Sequence, residues 1–270
     1  HTNIETIKIG VGVEKIGIGV FSGCDSLTDV FVDTNNAKYC DIDGVLFDKE
    51  RTTLLCYPSG KDASEYVLPE TVEIIGDYAF ENAKIERIDF SGKLKSISHF
   101  AFKDSSLRSV ELPENISVGA GAFFLCGGLE VINIPLSWDT IESQQFMGCS
   151  SLKQVVIPEN IKVIGADAFA YCVNLTILFE SENLPVCYER WNQDIKAYYL
   201  GCESIEEWGD YRIALRTNGT AELVSYSGSA EAIDLTEICS AKNVTRLGYG
   251  CFSKSNITKI TIPAMITELG

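Results

Sequence analysis

The sequence predicts a solenoid, a chain wound into coils that stack and each add a parallel strand to a shared sheet. One observation is a motif in which an aliphatic residue is followed five positions on by phenylalanine. It recurs at Ile16–Phe21, Ile75–Phe80, Ile97–Phe102, Val118–Phe123, Ile141–Phe146, Ile164–Phe169 and Leu247–Phe252. The other is its period. Successive phenylalanines from Phe80 to Phe169 stand 22, 21, 23 and 23 residues apart, and a fixed spacing of this size marks one coil per copy.

Each element follows from the phase. After the phenylalanine comes apolar, two residues, apolar, one residue, apolar: Leu27-Val30-Val32, Ile85-Ile88-Phe90, Leu107-Val110-Leu112, Leu129-Ile132-Ile134 and Leu152-Val155-Ile157. This is the core of a leucine-rich repeat, with Asn35, Asn115 and Asn160 at its asparagine position. The last two apolar positions flank one outward residue, which is strand periodicity. Pro69, Pro113, Pro135, Pro158 and Pro263 end the strands, since proline cannot donate to a ladder. The expected class is therefore a leucine-rich-repeat solenoid, mainly-β or α/β-type, of right-handed coils with one parallel strand each.

Two segments break the period. Tyr39–Phe47 and Thr53–Tyr57 read as two strands around Asp48–Thr52, a β-hairpin inserted at about 36–62. Residues 180–246 are too many for coils of 22 or 23 residues. Their second half holds Asn218-Gly219 between alternating runs, a strong hairpin signal. The expected organisation is repeats over 1–179, an aromatic-rich insert over 180–246, and a resumed repeat over 247–270 continuing the same solenoid.

Ile164-Gly-Ala-Asp-Ala-Phe-Ala-Tyr-Cys172-Val-Asn-Leu175, with units such as Val156-Ile157-Pro158, resembles the BspA-like leucine-rich repeats common in bacterial surface proteins. The resemblance covers 1–179 and 247–270. It implies a non-catalytic recognition or adhesion protein, on a cell surface or secreted, that binds protein or glycan ligands, host-derived ones included. A structural stalk within a larger surface protein is the alternative. A carbohydrate-active site built from Trp191, Trp208, Asp194, Glu206 and Glu207 is a remote third reading.

Charge narrows the partners. A net charge of -16 from 22 basic and 38 acidic residues repels phosphate backbones and anionic lipid, which argues against nucleic acid. No apolar run approaches the ~20 residues of a membrane span, so no membrane insertion is expected within this segment. No cofactor or metal is implied. Cysteines Cys24, Cys126, Cys149 and Cys172 each follow a repeat phenylalanine by three residues, which suits buried packing thiols better than a metal site, whose ligands must converge. Cys40 with Cys56, and Cys187 with Cys202, leave disulfides open. Asp41-Ile-Asp43-Gly44 carries too few ligands for a calcium loop. His99 reads as a solvated turn residue.

Surface is what remains for function. The outward strand positions form a row of Phe31, Asp89, Glu111, Asn133, Val156 and Phe179, and a parallel row that includes Arg108 and Lys153. With the insert tryptophans Trp191 and Trp208, these are the candidate ligand-binding residues, because the sheet face of a solenoid is its usual binding surface.

Overall fold

The computed structural model describes residues 2–193, 195, 197–248, 250–253 and 255–269. Two compact units divide the chain. The first comprises 1–155, 160–176 and 185–197; the second comprises 156–159, 177–184 and 198–270. The fold is the expected β-solenoid. Among the described residues the α-helix Thr236–Lys242 stands alone amid short strands.

From Glu65 onward the coils of the first unit carry two short strands where one was expected. Glu65–Val67, Arg87–Asp89, Ser109–Val110 and Val131–Ile132 pair in parallel, in the phase of the leucine-rich pattern. A second parallel ladder runs through the aliphatic residue of the phenylalanine motif, over Ile74–Ile75, Ser96–Ile97 and Ser117–Val118. Thr140–Ile141, Val163–Ile164 and Val186–Cys187 make a third stretch of the same kind. Two-residue strands leave too little alternation for the periodicity signal.

The phenylalanines fill the interior. Phe80, Phe102, Phe123, Phe146 and Phe169 are fully buried. Their rings stack in one column with centroids 4.9, 5.5, 5.8 and 5.3 Å apart, each pair within 18° of parallel. The turn carrying each ring is bonded to the next coil by three backbone rungs. Tyr78, Phe80 and Asn82 donate to the carbonyls of His99, Ala101 and Lys103, and every later turn to Tyr171 repeats this. The middle rung lands on the residue before the next phenylalanine. That residue is buried among neighbouring coils, which explains Ala79, Ala101, Ala122 and Ala168.

The asparagine position is also a bond between coils. Asn160 donates from Nδ2 to Leu136 O at 2.8 Å. At the first coil the working residue is Asn36, not Asn35: it is buried and donates to Gly10 O and Val13 O at 2.8 and 3.1 Å. Asn115 instead donates from its backbone to Ser137 Oγ.

The first insert differs from the expected single hairpin. Residues 39–47 make two strands, Tyr39–Ile42 and Val45–Asp48, reversing at Asp43-Gly44. Both residues hold positive φ, 48° and 76°, as a two-residue turn requires, so this Asp-Gly divides a run that the sequence reads as one strand. Thr53–Cys56 closes the meander and then joins the coil ladder, Leu54 opposite Ile75.

The second unit opens with a meander of Cys202–Trp208, Tyr211–Arg216 and Ala221–Tyr226. Its last hairpin turns at Asn218-Gly219, with Gly219 at φ 78°. Ala221–Tyr226 then pairs in parallel with Val244–Leu247, and that strand with Glu268–Leu269. The core gathers Ile213, Leu223, Ile233, Leu235, Ile238 and Val244.

Candidate functional site

The sheet face of the first unit presents the predicted rows. Phe31 is 45% exposed and stands opposite Lys8 in the parallel pair at the first coil. Asp89, at the end of its strand, and Glu111, just past Val110 at the end of the neighbouring strand, are exposed. They line a groove of about 450 Å³ with Arg87, Ser109, Glu114 and Asn133. No ion-pair partner of Asp89 or Glu111 is found among the described residues.

Asn133 is occupied otherwise. Its side chain accepts from Leu112 N–H at 2.7 Å and donates to Leu112 O at 3.0 Å, so it stands in for a missing ladder pair. With both polar ends engaged inside the chain, the side chain has only one N–H and one lone pair left for a ligand.

The parallel row neutralises itself. Arg108 meets Glu86 at 3.1 Å and Glu130 at 3.9 Å, and Glu130 meets Lys153 at 2.7 Å. The Lys153 hydrogen bond, with the charges of Lys153 and Arg108, holds the Glu130 carboxyl below its usual range. Exposed pairs of this kind are screened by solvent and contribute little to stability, so the column mainly sets the charge pattern.

The rest of the predicted set lies elsewhere. Phe179 is 1% exposed and so offers no surface. Val156 is half-buried against Leu178, Cys202 and Ala214 within the second unit. The strand phase places both outward, but that phase says nothing of what a later segment lays over them. Trp191 is buried in a turn of the first unit, where its carbonyl accepts the rung from Phe169 N–H at 3.0 Å. Trp208 packs on the core of the second unit, with its ring 6.3 Å from Tyr211. Both tryptophans are packing residues in this structure.

Of the carboxylates of the remote enzymatic reading, the described pair Glu206 and Glu207 does not converge. Glu206 is paired with Lys242 at 2.8 Å and Glu207 with Arg212 at 3.0 Å. Adjacent strand residues point to opposite faces, whereas glycoside hydrolysis needs two carboxyl groups facing each other across the bond to be cut. Asp194 lies outside the described residues. His99 is exposed in its turn, its backbone N–H donating to Asp77 Oδ1 at 2.9 Å.

All ten cysteines are free. Cys126, Cys149 and Cys172 each donate from Sγ to a phenylalanine carbonyl of the preceding coil: Phe102 O at 3.0 Å, Phe123 O at 3.2 Å and Phe146 O at 3.0 Å. Burial pushes the Cys126 and Cys172 thiols up to about 12 and Cys149 well above its usual value. The thiolate is the reactive form, so at pH 8 these three stay protonated and inert. Titration with a disulfide reagent at pH 8 should leave them unmodified in native protein and release all three on denaturation. Rapid native labelling of Cys149 would show that the thiol does not cap the coil.

One device escaped the sequence reading. Tyr57 N–H donates to Ala79 O at 2.7 Å, the rung a phenylalanine would make, and its ring stacks on Phe80 at 5.1 Å. Tyr226 does the same in the second unit, donating to Cys251 O, the residue before Phe252, at 2.8 Å. Each tyrosine ends a three-stranded meander and lies three residues after a leucine, Leu54 or Leu223, that pairs with the next coil. A search for five-residue spacing misses both; a Leu-x-x-Tyr pattern repeated after each Gly-marked hairpin run is the signal that finds them.

Comparison with known proteins agrees with this geometry. No curated protein matches the chain. Among solved structures, a leucine-rich repeat protein from Eubacterium ventriosum is 22% identical with a TM-score of 0.61, over 97% of this chain and 61% of that one. A leucine rich cell surface protein from Faecalibacterium prausnitzii is 26% identical with a TM-score of 0.49, over 74% of this chain and 49% of that one. The pneumococcal vaccine antigen PcpA is 20% identical with a TM-score of 0.49, over 97% and 56%. The chain thus spans about half to three-fifths of the length of these proteins. The repeat described as a BspA type leucine rich repeat region matches in six copies, over residues 1–49, 56–176 and 226–270. The chain belongs to the BspA-type leucine-rich-repeat family.

Proposed function

We propose that this protein is an extracellular recognition module, displayed on a cell surface or secreted, that binds a protein or glycan through the strand face of its first unit. The observation that carries the reading is the groove at Asp89 and Glu111. Around it the outward charges pair with one another, while these two acids have no ion-pair partner among the described residues. Such a groove suits a ligand that brings hydrogen-bond donors or positive charge, as a basic protein loop or an amino sugar does. Family membership supports a binding role.

The alternative, a stalk that spaces another domain from the cell, is favoured by the same paired column, since Glu86, Arg108, Glu130 and Lys153 satisfy each other along the stack. A panel of immobilised extracellular-matrix proteins and mucin-type glycans separates the two. The binding reading expects at least one retained ligand, and expects the double variant D89K/E111K to weaken it at least ten-fold with an unchanged melting temperature. Retention that ignores the double variant would remove the groove from the account; no retention by any member of the panel would leave the stalk.

A further inference from the structure

The regular ladder between turns fails at one interface of the first unit. From Tyr78 to Tyr171 every turn is tied to the next by three backbone rungs. Between the turn at 17–23 and the turn at 76–82 no such rung is made. Gly19, Phe21 and Gly23 donate to nothing, and the carbonyls of Asp77 and Glu81 accept nothing, among the described residues. The cause is the meander. Its last strand enters the stack between these turns, but the chain takes a short cut through Tyr57 and then turns away, Gly60 N–H bonding Leu27 O at 2.7 Å. The outer part of one coil is therefore missing.

The missing part leaves a cavity of about 260 Å³. Ile16, Phe21, Leu46, Leu55, Ile74 and Tyr78 give it apolar walls. Side-chain bridges narrow its rim: the Ser22 hydroxyl contacts Glu81 Oε2, and Asn82 Nδ2 donates to Asp25 Oδ1 at 3.1 Å. Two kinds of polar group serve it. The Tyr39 hydroxyl accepts from Ile16 N–H at 3.0 Å and keeps its own proton to donate. The unpaired rungs add N–H donors on one wall and carbonyl acceptors on the other.

We propose that this cavity is a binding site for a compact, ring-bearing apolar molecule with a single hydroxyl or carbonyl group. Size argues for it, because an apolar cavity of about 150 Å³ holds benzene, and this one is large enough for a fused two-ring system. Chemistry argues for it as well. An apolar body covers the hydrocarbon part of the walls, while the one polar group meets a donor or acceptor that the fold leaves unmatched. The site is separate from the groove at Asp89 and Glu111 and does not depend on that reading.

The probe is 2-naphthol, titrated into the full chain by calorimetry and followed by methyl NMR. Saturable binding with a dissociation constant of about 10–100 μM is expected, with shifts confined to Ile16, Leu46, Leu55 and Ile74. Ile74→Trp and Val20→Trp each place a larger side chain at the mouth from an exposed position, at 37% and 57% exposure, so folding should be unaffected. Each should weaken binding at least ten-fold at an unchanged melting temperature. No binding up to 1 mM, or shifts gathered outside the cavity, would overturn the assignment. So would affinity untouched by both plugs.

Discussion

Phe146→Ala should destabilise the first unit by about 3–5 kcal/mol, the range for emptying a buried phenylalanine site. Phe146 is fully buried, with Phe123 at 5.8 Å on one side and Phe169 at 5.3 Å on the other. Its neighbours cannot collapse into the vacancy, because the three rungs on each side of the turn fix the coil spacing. The loss therefore contains the transfer term, the cavity term and two ring contacts worth about 0.5–1.5 kcal/mol each. The unit's thermal transition should fall by roughly 6–20 °C, at about 2–4 °C per kcal/mol for a domain of this size. Phe31→Ala is the control. That ring is 45% exposed, so its removal should stay within about 0.5 kcal/mol. Equal effects at Phe146 and Phe31, measured by denaturant unfolding, would mean that the phenylalanine column is not the core.

The column was legible in the sequence because a solenoid repeats its packing problem once per coil. The same residue type must return in phase wherever a coil is complete, as it does from Phe80 to Phe169. Tyr57 stacks on the end of this column and Tyr226 makes the equivalent rung within the second unit; neither was legible, since each arrives along a shortened path and breaks the five-residue spacing. The Asp43-Gly44 reversal was missed for a related reason. Val45, Leu46 and Phe47 after the turn are all buried, so the second strand shows no inward–outward alternation to mark the change of direction.

The candidate site was half legible. Alternation along a strand puts Phe31, Asp89 and Glu111 on the outside, and they are exposed there. The same rule applied to Val156 and Phe179 returns a half-buried and a fully covered residue, because alternation reports the side of a strand and not whether anything covers it. Asn133 shows a further limit. Its position is outward, but its amide is spent on Leu112, a bond no single coil reveals since its partner is 21 residues away. The cavity beside Tyr78 was illegible for the opposite reason: it comes from rungs that are not made.

Gly165→Ala should cost as much as removing a phenylalanine, although it adds only one methyl group. A Cβ at Gly165 would lie 2.5 Å from Ser143 N, 2.8 Å from Glu142 C and 2.8 Å from Ser143 Cα. All three are backbone atoms of the preceding coil, so no rotamer change relieves the clash. The coils must separate, and the bonds that hold them there must lengthen: Gly165 N–H to Ile141 O at 2.8 Å and Gln144 N–H to Ala166 O at 2.9 Å. Overpacking ordinarily costs about 1–3 kcal/mol, and each buried backbone group left unpaired adds about 1–3 more. A total near 3–5 kcal/mol is expected. At this turn the glycine after the aliphatic residue thus sets the coil spacing, and Gly76 and Gly119 meet the previous coil's backbone in the same way, at 3.1 and 2.8 Å, whereas Ser98 and Glu142 hold the same position in two other coils. Gly17 provides the contrast. A Cβ there has nothing within 4 Å, so Gly17→Ala should be neutral or slightly stabilising through the unfolded chain's lost entropy. Denaturant unfolding of the two alanine variants decides the matter. If Gly165→Ala loses less than about 1 kcal/mol, the coils are held apart by something other than the backbone contact at Ser143.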